Sequence, residues 1–515
     1  MAKELLFLRV CNVSAVPDGA ASLLLSLASR KLLNAGSAIS RRFLSPNLHF
    51  TDGGRNRVLQ DVVEAWLAKC ANPFAPTVSE LERLLAAAPE LASGYDVAVR
   101  GGTWTLSARR PSRPLRRSDW SKEGWQIVFT LGRRREFFPV AGADFVPLTN
   151  VFRYLNGTHT AQQLGAAFPE HRVLIKRFLG FLREHRLLAP IGRAPASARP
   201  GVEFVSHSCL QFTGREASVM VDPCFVLNER PLAASARDRR RFDAKFRRLD
   251  DVSAVLLTHA HWDHAHLPTL FRFRRDVPIF VPRVKAKTES YYNPALAPLL
   301  RSLGFTDVRE VTFWKSQRIG DVTFTPVPFF GEWFGPGSDF DAFCYLIEVG
   351  GVRYLGTVDS ERSERGDMDA VFADLRERVG RVDCMFFCSS GQTHANPVTC
   401  GAPAQYSNGF DVHGDRMRYH PDTNAIVRWS RMLKPKVVVP YAEFIFAATP
   451  TRKPVDLSAV DAQAHFRDYW AHVAAHGTET DAGLREWKKA LAATLPRLPK
   501  ETQLIMMSPG ERMKG

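Results

Sequence analysis

The sequence predicts an α+β protein in which a mainly helical N-terminal region precedes a layered αββα domain. Before residue 200, apolar residues recur at spacings of three and four, which is typical of amphipathic helices. After Gly201, short apolar runs such as VSAVLL and VPIFVP alternate with helical segments, a pattern typical of layered α/β or αββα domains. A stretch rich in alanine, proline and glycine, from Gly192 to Gly201, separates the two regions and marks the main domain boundary.

The length indicates more than one domain, because 515 residues exceed what one ordinary hydrophobic core supports. We expect residues 1–120 to be a helical region that ends in an arginine- and proline-rich arm. Residues 121–195 are expected to form a winged-helix-like module, and residues 200–515 the domain that carries the chemistry.

In the first part, the apolar spacing predicts helices over residues 55–70 and 77–92. The arm, residues 108–120, combines five arginines with two prolines, so we expect it to be a linker or an exposed segment.

In the second part, Asn156-Gly157 is expected to end one helix and Thr158 or Thr160 to cap the next. A third helix has an apolar face, formed by Leu174, Phe178, Phe181 and Leu182. This order resembles the small peptide-binding winged-helix module of the pyrroloquinoline-quinone chaperone type. A purely structural helical domain is the alternative.

Charge and cysteine content restrict the partners and the compartment. The formal net charge of +16 favours acidic partners, but nucleic acid is not expected, since the basic residues are spread along the chain without an aromatic-rich binding strand. The eight cysteines show no paired spacing, and the N-terminus MAKELLFLRV is unlike a secretory signal. There is no run of eighteen apolar residues, so we expect a cytoplasmic protein without a membrane partner.

The strongest chemical signal is the segment LLTHAHWDHAHL, which follows an apolar strand. His259 and His261 are spaced to hold one metal ion, and Asp263 and His264 to reach a second ion beside it. Imidazoles and carboxylates are the usual protein ligands of zinc, iron and manganese. A histidine-rich surface loop is the alternative interpretation.

The order H-x-H-x-D-H resembles the signature of the metallo-β-lactamase superfamily, and the resemblance extends from about Val202 to Phe446. It implies an αββα sandwich with a two-metal site between its sheets. By position, it also implies that Asp359, in YLGTVDSE, is the carboxylate that bridges the two metals.

One departure from the superfamily pattern points to a particular chemistry. Where its hydrolases usually have a histidine, this chain offers Glu332, which resembles the diiron amino-acid β-hydroxylase of chloramphenicol biosynthesis, a member of this superfamily. A carboxylate makes the site harder and more anionic, which suits iron. In the alternative, Asp339 or Asp341 is the ligand. Trp333 and Phe334 are expected to wall an apolar reaction pocket.

A second departure concerns the last ligand, which the superfamily usually supplies as a histidine after the final strand. This chain has Tyr441 and Glu443 there, and we favour Glu443 over His394. The other candidates in the preceding long loop are His413 and His420. Two further histidines, His207 and His266, are expected to support the ligands or the fold.

The resemblance implies a non-haem diiron oxygenase of natural-product biosynthesis, with Glu332 and Asp359 as catalytic residues. It would use two irons, with zinc or manganese as alternatives, O2 as co-substrate and an external electron donor or redox partner. The substrate would be a small amino acid or peptide, or an amino acid on an acidic carrier protein. Basic clusters at residues 132–138 and 236–251 are candidates for the docking face of that carrier.

Two other functions remain open. The first is a dimetal hydrolase of phosphodiester, lactone or amide bonds. The second is a binding protein in which residues 121–195 recognise a peptide or nucleic acid.

Overall fold

The structure is a computed structural model in which part of the chain is described. The described residues are 5–8, 12–17, 95–100, 103–108, 117–121, 124–131, 134–189, 200–225, 244–261, 264–284, 295–331, 341–363, 365–388, 421–441, 455–456, 461–475 and 482–514.

The described part of the N-terminal region contains strands as well as helices. Its strands are β1 (Leu5–Phe7), β2 (Asn12–Pro17), β3 (Tyr95–Arg100), β4 (Thr103–Ala108), β5 (Trp125–Leu131), β6 (Arg134–Val140) and β7 (Asn156–Thr160). Its helices are α1 (Gly142–Val151), α2 (Ala161–Ala167) and α3 (Arg172–Glu184). Strands β2, β5 and β6 form one sheet, β1 pairs with β7, and β3 pairs with β4.

The expectation of a helical region over residues 1–120 is wrong for the residues that the structure describes before residue 117, which are all strand or bridge residues. The two predicted helices, residues 55–70 and 77–92, lie outside the described residues. A sequence signal for the β3–β4 hairpin was available in Gly101-Gly102, since a Gly-Gly pair between two β-type runs favours a two-residue turn.

The helices of the predicted module lie where their sequence signals place them. Thr160 is the N-cap of α2, and its side chain forms a capping box with Gln163. The predicted face of α3 is buried at Leu174, Phe178 and Leu182, and Phe181 is half-buried. The winged-helix-like interpretation of this module stays a prediction.

The described strands from residue 201 onward form two larger sheets and a small hairpin. The spatial order of the first is β13, β12, β11, β10, β9, β8, β24 and β22. Its strands are β8 (Gly201–Ser206), β9 (Cys209–Thr213), β10 (Ser218–Val221), β11 (Ala254–Leu256), β12 (Ile279–Pro282), β13 (Val308–Val311), β22 (Val455–Asp456) and β24 (Glu511–Lys514). Strands β10 to β13 are parallel to one another.

The spatial order of the second sheet is β14, β15, β16, β17, β20, β21 and β23. Its strands are β14 (Gln317–Ile319), β15 (Val322–Pro328), β16 (Phe343–Val349), β17 (Val352–Gly356), β20 (Cys384–Phe387), β21 (Val437–Pro440) and β23 (Gln503–Leu504). The last four are parallel, and a small hairpin joins β18 (Arg362–Ser363) to β19 (Gly366–Asp367).

The remaining described helices are α4 (Leu267–Leu270), α5 (Leu296–Ser302), α6 (Met368–Val379), α7 (Thr423–Leu433), α8 (Ala462–Ala475) and α9 (Ala482–Thr494). Aspartates cap α6 and α7, since Asp367 and Asp422 each accept a hydrogen bond from a backbone N–H in the first turn. Among the described residues, none of these helices has the length and apolarity that crossing a bilayer requires.

The first sheet is buried on both faces. Ala254 and Leu256 of β11 belong to one core, which also contains apolar residues of the second sheet and of α6 and α7. Their neighbours Val255 and Leu257 belong to a second core, shared with the N-terminal strands and helices. Burial on both faces explains why the strand is a continuous apolar run. The predicted αββα sandwich is confirmed.

Polar contacts also join the N-terminal part to residues at the ends of helices α4 and α5. The buried Arg272 donates from Nε to Asn156 Oδ1 at 2.7 Å, and Asn156 Nδ2 donates back to the Arg272 carbonyl at 2.8 Å. The indole Nε1 of Trp120 donates to Ser302 Oγ at 2.9 Å. Since Trp120 is 1% exposed, the end of the predicted exposed arm is anchored in the fold.

Candidate metal centre

Three side chains from the two sheets meet at one edge of the sandwich. His259 and His264 follow strand β11 of the first sheet, and Asp359 follows β17 of the second. Their ligand atoms all lie within 4.8 Å of one another, and all three residues are buried. Neighbouring parallel strands end at the same edge of a sheet, which is where α/β folds usually place their ligands.

His264 lies between two carboxylates. Its Nδ1 is 2.8 Å from Asp222 Oδ2, and its Nε2 is 2.9 Å from Asp359 Oδ2. Asp222 is 1% exposed and follows β10, the parallel neighbour of β11. The imidazole is therefore fixed at both nitrogens, with Nε2 directed toward the centre.

Asp222 is connected to His259 through Thr258. The backbone N–H of Thr258 donates to Asp222 Oδ1 at 2.8 Å, and Thr258 Oγ1 donates to Asp222 Oδ2 at 2.6 Å. Because the hydroxyl proton is used in this way, Thr258 Oγ1 accepts from His259 Nδ1, which lies 3.0 Å away. This arrangement leaves Nε2 of both histidines as the nitrogen that can bind a metal.

The donor set fits a divalent transition metal. Two imidazole nitrogens and one carboxylate oxygen are ligands that zinc, iron and manganese accept. Burial adds to the fit, because a buried carboxylate beside imidazoles is stabilised by a cation. His261, which is half-buried, has its ring centroid 4.7 Å from that of His259.

The turn that presents Asp359 is held from several sides. Within the turn, the backbone N–H of Val358 donates to the hydroxyl of Tyr441 at 3.0 Å, and Ser360 Oγ donates to the Thr357 carbonyl at 2.5 Å. Gly331 forms a backbone bridge with Ser360. A Cβ at Gly331 would lie 2.6 Å from the Asp359 carbonyl oxygen, so only glycine allows this approach.

Several of the predicted ligands and pocket residues are not among the residues that the structure describes. Asp263, Glu332 and Glu443 lie outside the described residues, as do Trp333, Phe334, Asp339, His394, His413 and His420. Asp341, the alternative to Glu332, is buried and lies 3.6 Å from Arg365 Nη2.

The other candidates have contacts of their own. Tyr441 was a candidate for the last ligand, but its hydroxyl accepts from the Val358 backbone. Burial raises the pKa of Tyr441 well above its ordinary value, so this hydroxyl is protonated at neutral pH. His266 Nδ1 lies 2.6 Å from Thr269 Oγ1 at the start of α4, and the supporting role of His266 stays a prediction. The His207 ring centroid is 5.7 Å from that of His264.

Sequence reasoning missed Asp222 and Thr258. The signal for Asp222 was present, since it directly follows the apolar run SVMV in the same way that Thr258 and His259 follow VSAVLL. An aspartate after a strand is common, however, and only the parallel pairing of β10 with β11 brings it to the histidines.

One of the predicted docking clusters is partly used inside the protein. Lys245 lies 2.7 Å from Glu203 Oε1 and donates to Gln211 at 2.6 Å. Burial lowers the pKa of this lysine, against the raising effect of Glu203. Arg248 pairs with Asp251 at 2.9 Å. The ammonium group of Lys245 is therefore turned into the fold, and the docking role of the cluster at residues 236–251 stays a prediction.

The chain resembles known proteins over most of its length. Residues 218–441 match the family model described as the beta-lactamase superfamily domain. The 4-amino-L-phenylalanyl-[CmlP-peptidyl-carrier-protein] 3-hydroxylase of Streptomyces venezuelae is 29% identical over 351 residues, which are 64% of this chain and 62% of that protein. The alignment thus spans less than two thirds of the curated relative.

Two solved structures are similar. A mutant of the CmlA beta-hydroxylase has a TM-score of 0.50 and 18% identity, over 90% of this chain and 96% of its own. CmlA itself, described as a diiron beta-hydroxylase from Streptomyces venezuelae, has a TM-score of 0.49 and 16% identity, over 91% and 97%. At these identities the first likeness shows the shared fold.

Proposed function

We propose that this chain, whose residues 218–441 form a metallo-β-lactamase-fold domain of the β-lactamase superfamily, is a non-haem diiron oxygenase. It would hydroxylate an amino-acid-type substrate that a carrier protein presents. The buried group of His259, His264 and Asp359 is the observation that carries the proposal. The similarity to a curated hydroxylase, whose name specifies an amino acid on a peptidyl carrier protein, supports the choice of reaction and substrate.

We assign the metal ligands to the histidine loop and to three later segments of the chain. His259, His261, Asp263 and His264 would come from the histidine loop, and Asp359 would be a carboxylate ligand. Glu332 would be the further carboxylate, with Glu443 as the last ligand. Support for Glu332 comes from its neighbour Gly331, whose backbone pairs with Ser360 next to Asp359.

When bound, two iron ions would supply the redox chemistry that protein side chains lack. The chain supplies the orientation. Asp222 and Thr258 keep the protons of His264 and His259 on Nδ1, which leaves Nε2 for the metals. Phe329 lies with its ring centroid 5.6 Å from that of His259, and this buried aromatic side chain helps to exclude water.

The overall reaction balances with one external reductant. One oxygen atom of O2 is inserted into a C–H bond, and the other leaves as water after taking up two electrons and two protons. A redox partner would deliver the electrons. The described cysteines Cys209, Cys224, Cys344, Cys384 and Cys388 form no disulfide, which suits the cytoplasm that we propose as the compartment.

The first test is metal content and turnover. Protein from iron-supplemented cells should contain about two irons per chain, the number that the proposed dimetal site holds. When reduced, it should consume O2 and add one oxygen atom to a carrier-bound aromatic amino acid, as read by mass spectrometry. Glu332→Gln should lose this activity. Glu310→Gln, an exposed glutamate on the edge strand β13, is the matched control and should keep it.

Two results would contradict the proposal. One is a reduced iron form that is inert toward O2 with every free or carrier-bound amino acid tried. The other is hydrolysis of a lactone or phosphodiester by the zinc or manganese form without oxygen, which would identify a dimetal hydrolase.

A further inference from the structure

The turn that presents Asp359 contains a valine in an uncommon backbone conformation. Val358 has a φ of 53°, in the left-handed region that β-branched residues adopt only with strain. It directly precedes Asp359, so its backbone conformation sets the direction in which the carboxylate leaves the chain. Val358 is 1% exposed, so solvent does not stabilise its N–H group.

The partner of that N–H group is the hydroxyl of Tyr441, at 3.0 Å. Tyr441 follows strand β21, two strands away from β17 in the second sheet. Its own N–H donates to the Phe387 carbonyl at 2.8 Å, and its ring centroid lies 5.7 Å from that of Phe386. The tyrosine is therefore anchored independently of the turn that it contacts.

A glycine makes this approach possible. A Cβ at Gly356, the last residue of β17, would lie 3.1 Å from the Tyr441 hydroxyl oxygen. The absence of a side chain at this position leaves room for the hydroxyl to lie under the turn.

We infer that Tyr441 is a positioning residue for Asp359: its hydroxyl stabilises the left-handed conformation of Val358 and thereby directs the carboxylate toward His264. Tyr441 had been a candidate metal ligand, and the inference gives it a role beneath the site instead. It rests on the proposed function in one respect, namely that Asp359 binds metal.

A double-mutant cycle tests the inference through metal affinity. The four proteins are the wild type, Tyr441→Phe, Val358→Gly and the double variant. Affinities for Fe(II) and Zn(II) are measured anaerobically by competition with a chromophoric chelator. Tyr441→Phe leaves a buried N–H without its acceptor, so affinity should fall by about ten- to a hundredfold.

Glycine at position 358 should recover part of this loss. Glycine adopts the left-handed region without strain, so Val358→Gly in the Tyr441→Phe background should raise the affinity by about tenfold. In the wild-type background the turn is already held, and the same change should have little effect. Equal effects of Val358→Gly in both backgrounds, or unchanged affinity in Tyr441→Phe, would overturn the inference.

Tyr354→Phe is the matched control. Tyr354 is also a buried tyrosine of this sheet, but it lies in β17 beside Cys384. Burial raises the pKa of Tyr354, and the nearby Cys384 and Asp383 raise it further. Removal of the Tyr354 hydroxyl should leave metal affinity within about threefold of the wild type, since none of the described contacts of Tyr354 is with the turn that presents Asp359. If Tyr441→Phe does not fold, Gly356→Ala is the substitute, because a methyl group there displaces the hydroxyl while the ring stays.

A second measurement separates this inference from the proposed function. Hydrogen exchange of the Val358 amide is followed in the metal-free protein, where it should be slow in the wild type and in Tyr354→Phe but faster in Tyr441→Phe. If the wild type binds no metal, the proposed function is refuted, and the exchange of the Val358 amide alone then decides the inference about Tyr441. Equal exchange in Tyr441→Phe and in the wild type would refute the inference even if both proteins bind metal.

Discussion

Replacement of Asp222 by asparagine should weaken metal binding although Asp222 is not itself a predicted ligand. The carboxylate accepts three hydrogen bonds: from the Thr258 N–H at 2.8 Å, from Thr258 Oγ1 at 2.6 Å and from His264 Nδ1 at 2.8 Å. Oδ1 accepts the first, and Oδ2 accepts the other two. An amide group has only one oxygen, so it cannot accept at both positions.

Each orientation of the amide has a cost. If its oxygen takes the place of Oδ2, its NH2 group faces the Thr258 N–H, and two donors meet. If the amide is flipped, its NH2 group faces His264 Nδ1, and the imidazole must move its proton to Nε2. In that second arrangement, the proton on His264 Nε2 removes the lone pair that would bind a metal beside Asp359.

The magnitude follows from one buried donor without an acceptor. Such a group costs about 1–3 kcal/mol, and about 1.4 kcal/mol corresponds to a tenfold change in affinity. Loss of the partner of a metal-ligating histidine usually weakens metal binding by about 10- to 100-fold. We therefore expect Asp222→Asn to lower the affinity for Fe(II) by about 10- to 100-fold.

The assay is anaerobic competition with a chelator, with urea unfolding of the metal-free protein in parallel. Asp321→Asn is the matched control, because Asp321 also accepts several backbone N–H groups but lies in the turn between β14 and β15. It should lower stability without changing metal affinity. Wild-type affinity in Asp222→Asn, together with a folded protein, would refute the reasoning about the proton on His264.

Three further predictions concern other parts of the fold. Slight burial raises the pKa of Asp321, but hydrogen bonds from the N–H groups of residues 215–217 hold it below its ordinary value. Its stabilising effect is therefore present above the unfolded-state pKa and is lost as the pH falls through the folded-state pKa, so the urea stabilities of the wild type and Asp321→Asn should converge as the pH falls below that lowered pKa. Burial raises the pKa of the Cys344 thiol to about 12. Iodoacetamide at about pH 8 should therefore label Cys344 only after unfolding. Rapid labelling of Cys344 in the native protein, read by mass spectrometry, would contradict this. Trp120→Ala should destabilise the protein by about 3–5 kcal/mol, since it removes a buried indole and its bond to Ser302; an unchanged urea midpoint would mean that this side chain is not docked.

The sequence predicted the part of the fold that carries the candidate metal centre better than the N-terminal part. Short apolar runs and the H-x-H-x-D-H order lie on consecutive residues, so His259 and His264 needed no knowledge of tertiary pairing. Asp359 came from the resemblance, and the structure brings it to both histidines. In the N-terminal part, β2 pairs with β5 more than 100 residues later, and no local periodicity reports such a contact.

The supporting residues of the site escaped prediction for a similar reason. Asp222 lies 42 positions before His264 in the chain, and their contact depends on which strand is placed beside β11. Tyr441 lies 83 positions after Val358, and its role depends on a backbone angle that valine rarely adopts. Residue types alone suggested a metal ligand for Tyr441 and no role for Asp222.

The core on the outer face of the first sheet has a practical consequence for anyone who wishes to shorten the protein. The proline-rich stretch before residue 200 is an obvious place to cut, because it separates two regions of different composition. A fragment that starts there would lack Phe152, Phe178 and the other N-terminal members of the core to which Val255 and Leu257 belong, so the remaining apolar side chains would lose these neighbours. We expect such a fragment to aggregate when it is expressed alone, and co-expression of the two pieces would be the better way to study the metal site in isolation.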